Sequence, residues 1–182
     1  MVVGVLAIQG SFIEHITSLK KMGLEVHEIR HVEDLKNISA LILPGGESTT
    51  MSKLMKEYSL DKEIIKLAKK GLPIYGTCAG LILLAKNISY GLRLMDVEVD
   101  RNAYGRQLDS FETEINFDNK KIPAVFIRAP KIIKVGKDVE IIAKYEEKAV
   151  FVRQGNLFAS SFHPELSNDL TVYENIFNIS QG

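Results

Sequence analysis

Pro73-Ile74-Tyr75-Gly76-Thr77-Cys78-Ala79-Gly80-Leu81, followed by the apolar run Ile82 to Ala85, is the stretch around which this chain is organised. It reads as a short buried strand, a very tight turn and a helix, with the only cysteine of the chain on the turn. A residue at such a corner takes a strained backbone conformation, and its neighbours two positions away must be small for the chain to fold back. Gly76 and Gly80 supply that room. The pattern is a nucleophile elbow, G-x-S-x-G, with a thiol in place of the hydroxyl. Unpaired N–H groups at the start of the following helix favour negative charge there, and the thiolate is the reactive form of a cysteine. A lone cysteine at the end of an apolar strand is otherwise a small buried hydrophobe. A catalytic reading therefore requires a base from elsewhere in the chain.

With 182 residues the chain is long enough to bury a sizeable core, and one domain spanning 1–182 is expected. Lys plus Arg and Asp plus Glu number 23 each, so no global field attracts nucleic acid or an anionic membrane. One cysteine makes no internal disulfide, and no apolar run approaches bilayer length. The opening Met1-Val2-Val3-Gly4-Val5 reads as a strand rather than a leader, and a cytoplasmic location is expected.

Working outward, Val2 to Ile8 is almost continuously apolar, as in a strand buried on both faces of a parallel sheet. Phe12, Ile16, Leu19 and Met22 recur at helical spacing up to Gly23, and further strands are expected at Glu25 to Ile29 and Ala40 to Leu43. Lys62 to Lys70 reads as another amphipathic helix, and the elbow helix is expected to run to about Lys86. This rhythm predicts an α/β fold: an open, mostly parallel sheet with helices on both faces and ligands beyond the carboxyl ends of the strands. Between Tyr90 and Val152 the runs become short. Val97 to Val99, Phe111 to Ile115, Ala124 to Ile127, Ile141 to Ala143 and Ala149 to Val152 read as antiparallel strands added to the main sheet in the C-terminal half.

The third strand ends in Pro44-Gly45-Gly46-Glu47-Ser48-Thr49-Thr50, where Ser48 or Thr49 is expected to cap a helix carrying Met51, Leu54 and Met55. The two glycines allow backbone N–H groups to approach a carboxylate or a developing oxyanion, which is the better reading, with a simple tight turn as the alternative. Neither Walker spacing nor G-x-G-x-x-G is present. Arg128, in Phe126-Ile127-Arg128-Ala129-Pro130, stands at a strand end near the expected ligand face, although either it or Arg101 could be an ordinary solvated charge.

The last strand, Leu157 to Phe162, runs into His163-Pro164-Glu165. Proline biases His163 toward an extended conformation, in which residues two apart share a side, so imidazole and carboxylate are expected side by side. A glutamate so placed orients the histidine while Nε2 faces a thiol. His15 is expected on a helix and His27 and His31 in or just after the second strand, with no carboxylate similarly placed; the His and Cys spacings match no common zinc pattern. A terminal helix is expected over Val172 to Ile179.

Gly-Thr-Cys-Ala-Gly-Leu, the upstream Pro-Gly-Gly-Glu-Ser-Thr-Thr and the late Ser-Phe-His-Pro-Glu-Leu together resemble the class I, triad-type glutamine amidotransferases, whose sheet is flavodoxin-like. Ala7-Ile8-Gln9-Gly10 with Glu14-His15, Arg101-Asn102, Gly105-Arg106-Gln107, Asp109-Ser110-Phe111-Glu112 and Phe126 to Pro130 further resemble the glutaminase-subunit family of pyridoxal 5′-phosphate synthases, across essentially the whole chain. The segment between Ile88 and Leu92 is shorter than that family's pattern.

The resemblance implies hydrolysis of L-glutamine to glutamate and ammonia without a cofactor or metal, and delivery of the ammonia to a separate (β/α)₈-barrel synthase subunit. It implies Cys78 as nucleophile, His163 as general base and then acid, and Glu165 as its orienting carboxylate. Gly46, Glu47 and Ser48, with Arg101, Ile127 and Arg128, correspond to substrate contacts, and Gln9, Gly10, Glu14 and His15 to a surface facing the synthase. Backbone donors for the oxyanion would come from Gly45, Gly46 and Ala79. Two alternatives share part of this pattern. One is the glutaminase of another amidotransferase, such as that of imidazole glycerol phosphate synthesis, and the other a non-catalytic module with a redox-sensing elbow cysteine. The second leaves His163-Pro164-Glu165 without a role.

Overall fold

The apolar opening run forms β1 (Val2–Leu6), followed by α1 (Phe12–Lys21), β2 (Glu25–Ile29), a 3₁₀ turn (Val32–Leu35), β3 (Ala40–Leu43), α2 (Ser48–Glu57), α3 (Leu60–Lys69), β4 (Ile74–Thr77) and α4 (Ala79–Leu84). The second half contains β5 (Val97–Asp100), β6 (Ser110–Phe117), β7 (Lys120–Ile127), β8 (Lys131–Val135), β9 (Glu140–Tyr145), β10 (Lys148–Gln154), β11 (Leu157–Ser160), a 3₁₀ turn (Pro164–Leu166) and α5 (Thr171–Ser180). This computed structural model describes residues 1–101 and 110–180. Asn102, Gly105, Arg106, Gln107 and Asp109, which contribute to the family resemblance, lie outside the described residues.

Seven strands form one sheet in the order β2-β1-β3-β4-β11-β10-β9. β2, β1, β3, β4 and β11 run parallel, and β10 and β9 extend the sheet as antiparallel strands. The chain turns from β1 outward to β2 and then back to β3 on the other side. That reversal opens a crevice beyond the carboxyl ends of the central strands, where α/β sheets bind ligands.

Two apolar layers cover the sheet. On one face Met51, Met55, Leu60, Ile64 and the inner side of α4 pack with Val97, Val99 and Ile132. On the other, Leu19 of α1 and Val172, Tyr173, Ile176 and Phe177 of α5 pack with Ile115, Phe117, Ile122 and Phe126. Only β9 and β10 join the main sheet as expected for the added strands; β5–β8 and β6–β7 are separate two-stranded ribbons, each packed on one face. A ribbon with one apolar and one polar side can bury the first on a sheet without sharing its hydrogen-bond ladder. The elbow helix stops at Leu84, short of Lys86, because Ala85 is extended and bridges to Met95. Among the described residues no helix is long and apolar enough to cross a membrane.

Candidate active site

At the end of β4 the chain turns through Cys78 at φ +52° and ψ −101°, a conformation that costs a non-glycine residue about 1–3 kcal/mol. The turn is as tight as the glycine spacing predicts. A Cβ on Gly76 would lie 2.5 Å from the Gly80 carbonyl carbon, and one on Gly80 would lie 2.2 Å from the Leu43 carbonyl oxygen. The elbow is held against β11 by the Cys78 N–H, which donates to Ser160 O at 2.9 Å. The thiol is almost buried and lies 3.8 Å from the Ile127 carbonyl oxygen.

His163 follows β11 with extended backbone, and its N–H donates to Val125 O at 2.8 Å. Glu165 does not continue that extended chain. It sits in the 3₁₀ turn Pro164–Leu166, so tight turning rather than strand alternation brings imidazole and carboxylate together. The His163 Nδ1 to Glu165 Oε1 distance is 2.6 Å, and both residues are nearly out of solvent. Burial opposes charge on the imidazole, but the Cys78 sulfur and the Glu165 carboxylate together raise its pKa to about 10. His163 Nε2 is buried and, among the described residues, makes no aligned hydrogen bond, while the Cys78 sulfur beside it favours the charged imidazole.

Glu165 is itself held from below. Ser11 Oγ donates to Oε1 at 2.9 Å, and His15 Nε2 lies 3.6 Å from Oε2. Burial raises the pKa of the carboxyl, and the neighbouring histidines His15 and His163 more than offset this, for a net lowering. His15 is wholly buried, its Nδ1 2.8 Å from Tyr173 Oη and its Nε2 3.1 Å from Thr77 Oγ1. Burial pushes its pKa down despite the attraction of Glu165, so His15 is a neutral dipole beside the carboxylate and not half of an ion pair. Tyr173, whose pKa burial raises far above its ordinary value, keeps its proton and can donate it to Nδ1, and the acceptor-only Glu165 carboxylate beside Nε2 favours the tautomer with Nε2–H facing Thr77 and Glu165.

These contacts correct the expectation for the residues after β1. His15 is interior and cannot face a partner. Gln9 is half-buried, its Oε1 accepting the Glu47 N–H at 2.9 Å, while Gly10 and Glu14 are exposed. Helical spacing alone could not separate His15 from Glu14, because the residues that enclose it come from β4, the Glu165 turn and α5.

Gly45 packs against the histidine, where a Cβ would lie 2.5 Å from His163 Cε1. Its carbonyl accepts the Ser11 N–H at 2.9 Å, and planarity of the peptide turns the Gly46 N–H to the opposite side. The helix cap is Glu47 rather than Ser48 or Thr49. Its carboxylate accepts from the N–H and the hydroxyl of both Thr49 and Thr50, bonds that depress its pKa to about 2. The Glu47 side chain is thus engaged in the first turn of α2, and a substrate would meet this residue through its backbone. Ser48 is buried, with Oγ 2.9 Å from Tyr90 Oη.

A cavity of about 510 Å³, within the range of small-molecule sites, is lined by Cys78, His163, Gly45, Gly46, Glu47, Ser48, Arg101, Ile127 and Arg128, joined by Ser11, Ile82 and Leu166. Arg128, at φ +43°, stands at the sharp exit of β7. Ala79 begins α4, one residue after the thiol. Thiol, imidazole, two arginines and two backbone loops thus border one space.

The fold is that of glutamine amidotransferases. A solved structure described as a glutamine amidotransferase superposes over all of this chain and all of its own length, with a TM-score of 0.95 and 43% identity. PurLQS from Thermotoga maritima shares the fold at a TM-score of 0.76 and 20% identity, covering 98% of each chain. Residues 5–180 match the SNO glutamine amidotransferase family, and the chain belongs to it. Curated relatives include a protein of Methanocaldococcus jannaschii, 53% identical over 93% of this chain and 92% of its own, and one of Desulforamulus reducens, 47% identical over 98% and 99%. Both are named pyridoxal 5′-phosphate synthase subunit PdxT.

Proposed function

We propose that this chain is the glutaminase subunit of a pyridoxal 5′-phosphate synthase, hydrolysing L-glutamine and passing ammonia to a barrel-type synthase subunit. The observation that carries the chemistry is the meeting of Cys78, His163 and Glu165 at one edge of the sheet, beside a cavity with two arginines. Family membership and the names of relatives aligned along nearly the full chain support the pathway.

In this reading the Cys78 thiol passes its proton to His163 Nε2 as Sγ attacks the side-chain carboxamide carbon of glutamine. The oxyanion of the tetrahedral intermediate meets the N–H of Ala79 and that of Gly46, whose peptide is fixed by the Gly45 to Ser11 bond. One such donor typically lowers the barrier by about 3 kcal/mol. Because its pKa is raised to about 10, His163 carries a proton at neutral pH and delivers it from Nε2 to the departing ammonia. The resulting thioester on Cys78 is resolved by water, for which His163, now neutral, is the base. Glu165 keeps the ring oriented through Nδ1 in both steps.

The test is ammonia release from glutamine by the purified chain mixed with a barrel-type synthase. Turnover that disappears in Cys78→Ala supports the proposal. Turnover that survives this change, or no turnover in the wild type with its partner, refutes it.

A further inference from the structure

Tyr90 stands just behind the cavity. Its backbone is held on three sides: the Gly91 N–H donates to Ile88 O at 3.1 Å, the Leu92 N–H to Leu83 O at 2.7 Å, and Ser52 Oγ to Tyr90 O at 2.5 Å. The phenol is therefore presented from a fixed point between two cavity residues. Arg101 Nη1 donates to Tyr90 Oη, with the guanidinium carbon 5.5 Å from the ring centroid, and Ser48 Oγ lies 2.9 Å from the same oxygen. A guanidinium has no acceptor, so Oη accepts from Arg101. The phenolic hydrogen can then bridge to Ser48 Oγ, in an order where each bond polarises the next. Ser48 keeps its own hydrogen to donate away from the ring.

We infer that Tyr90 is a positioning residue that holds Arg101 and Ser48 as a paired donor site for the α-carboxylate of the substrate. The pair suits an anion that is not the reacting group, and on glutamine the only such group is that carboxylate. This inference rests on the glutaminase reading above.

The experiment is steady-state ammonia release by the chain with its synthase, comparing wild type, Tyr90→Phe and Arg101→Lys on L-glutamine and on glutaminamide, in which the carboxylate is replaced by an amide. Removing one oxygen in Tyr90→Phe is expected to raise KM for glutamine about tenfold with kcat held within about twofold, the scale of one hydrogen bond to a charged group. Preference for glutamine over glutaminamide should fall by the same factor. An unchanged KM and preference, or a fall in kcat alone, overturns the inference. If Tyr90→Phe does not fold, Ser48→Ala probes the same relay, and an undiminished preference there overturns it equally. The glutaminase reading fails separately: no wild-type turnover refutes it, whereas a raised KM in Arg101→Lys beside an unchanged Tyr90→Phe refutes the role of Tyr90 alone.

Discussion

His15 Nε2 lies 3.6 Å from Glu165 Oε2, with both side chains wholly out of solvent, although the two residues belong to opposite ends of the chain. The carboxylate that orients His163 is thus supported from beneath by α1. Replacing His15 with leucine takes one partner from the Tyr173 hydroxyl, which keeps Ser18, strands the Thr77 hydroxyl and sets apolar surface against a carboxylate. Each buried polar group left unsatisfied costs about 1–3 kcal/mol, so His15→Leu should lose about 2–4 kcal/mol in urea unfolding. Glutaminase kcat should fall with it, and His15→Gln, which keeps a donor, should recover part of both.

The strain at Cys78 is open to test without chemistry. At φ +52° a glycine is relaxed and an alanine is not, so both variants should be inactive, yet Cys78→Gly should unfold about 1 kcal/mol later than Cys78→Ala. Equal stabilities measured by chemical denaturation would mean that the elbow is unstrained.

Gly45 should tolerate no side chain, for a reason of contact. A methyl group there would overlap His163 Cε1, so Gly45→Ala should displace the imidazole and lower kcat/KM about a hundredfold or more, while far-UV circular dichroism stays that of the wild type.

Raising the pH should remove activity and stability together. The folded pKa of His163 lies above its ordinary value, so the stabilisation it contributes is complete below about 6.5 and is lost as pH rises through about 10. The proton needed by the leaving ammonia disappears over the same range. A pH profile of kcat should therefore fall on its basic side near 10, and a basic limb near 7 would show that the imidazolium is not held as described.

Much of this was legible in the chain itself. The continuous apolar runs of β1 and β3 read as parallel strands covered on both faces, and Gly76, Cys78 and Gly80 spell the elbow directly. β8 escaped because Lys131-Ile132-Ile133-Lys134-Val135 follows a proline and has no clean alternation, and only Ile132 of its residues is buried. The cap at Glu47 was misplaced because Ser48 and Thr49 have equal claims by residue type; what decides is the four donors that converge on one carboxylate. The role of His15, which the family resemblance assigns to a partner surface, and that of Tyr90 were hidden for a different reason. Their partners are distant in sequence, and no local pattern encodes a contact between α1 and the Glu165 turn, or between Tyr90 and both Ser48 and Arg101.

The most direct test of the central claim, that Cys78 is the nucleophile of a glutamine site completed by His163 and Glu165, is covalent labelling by a diazoketone analogue of glutamine, read by peptide mass spectrometry on the chain with its synthase. One adduct on Cys78, blocked by excess L-glutamine and lost in His163→Asn, is the predicted result. An adduct on another residue, or no adduct on a Cys78 that iodoacetamide still alkylates, would contradict it.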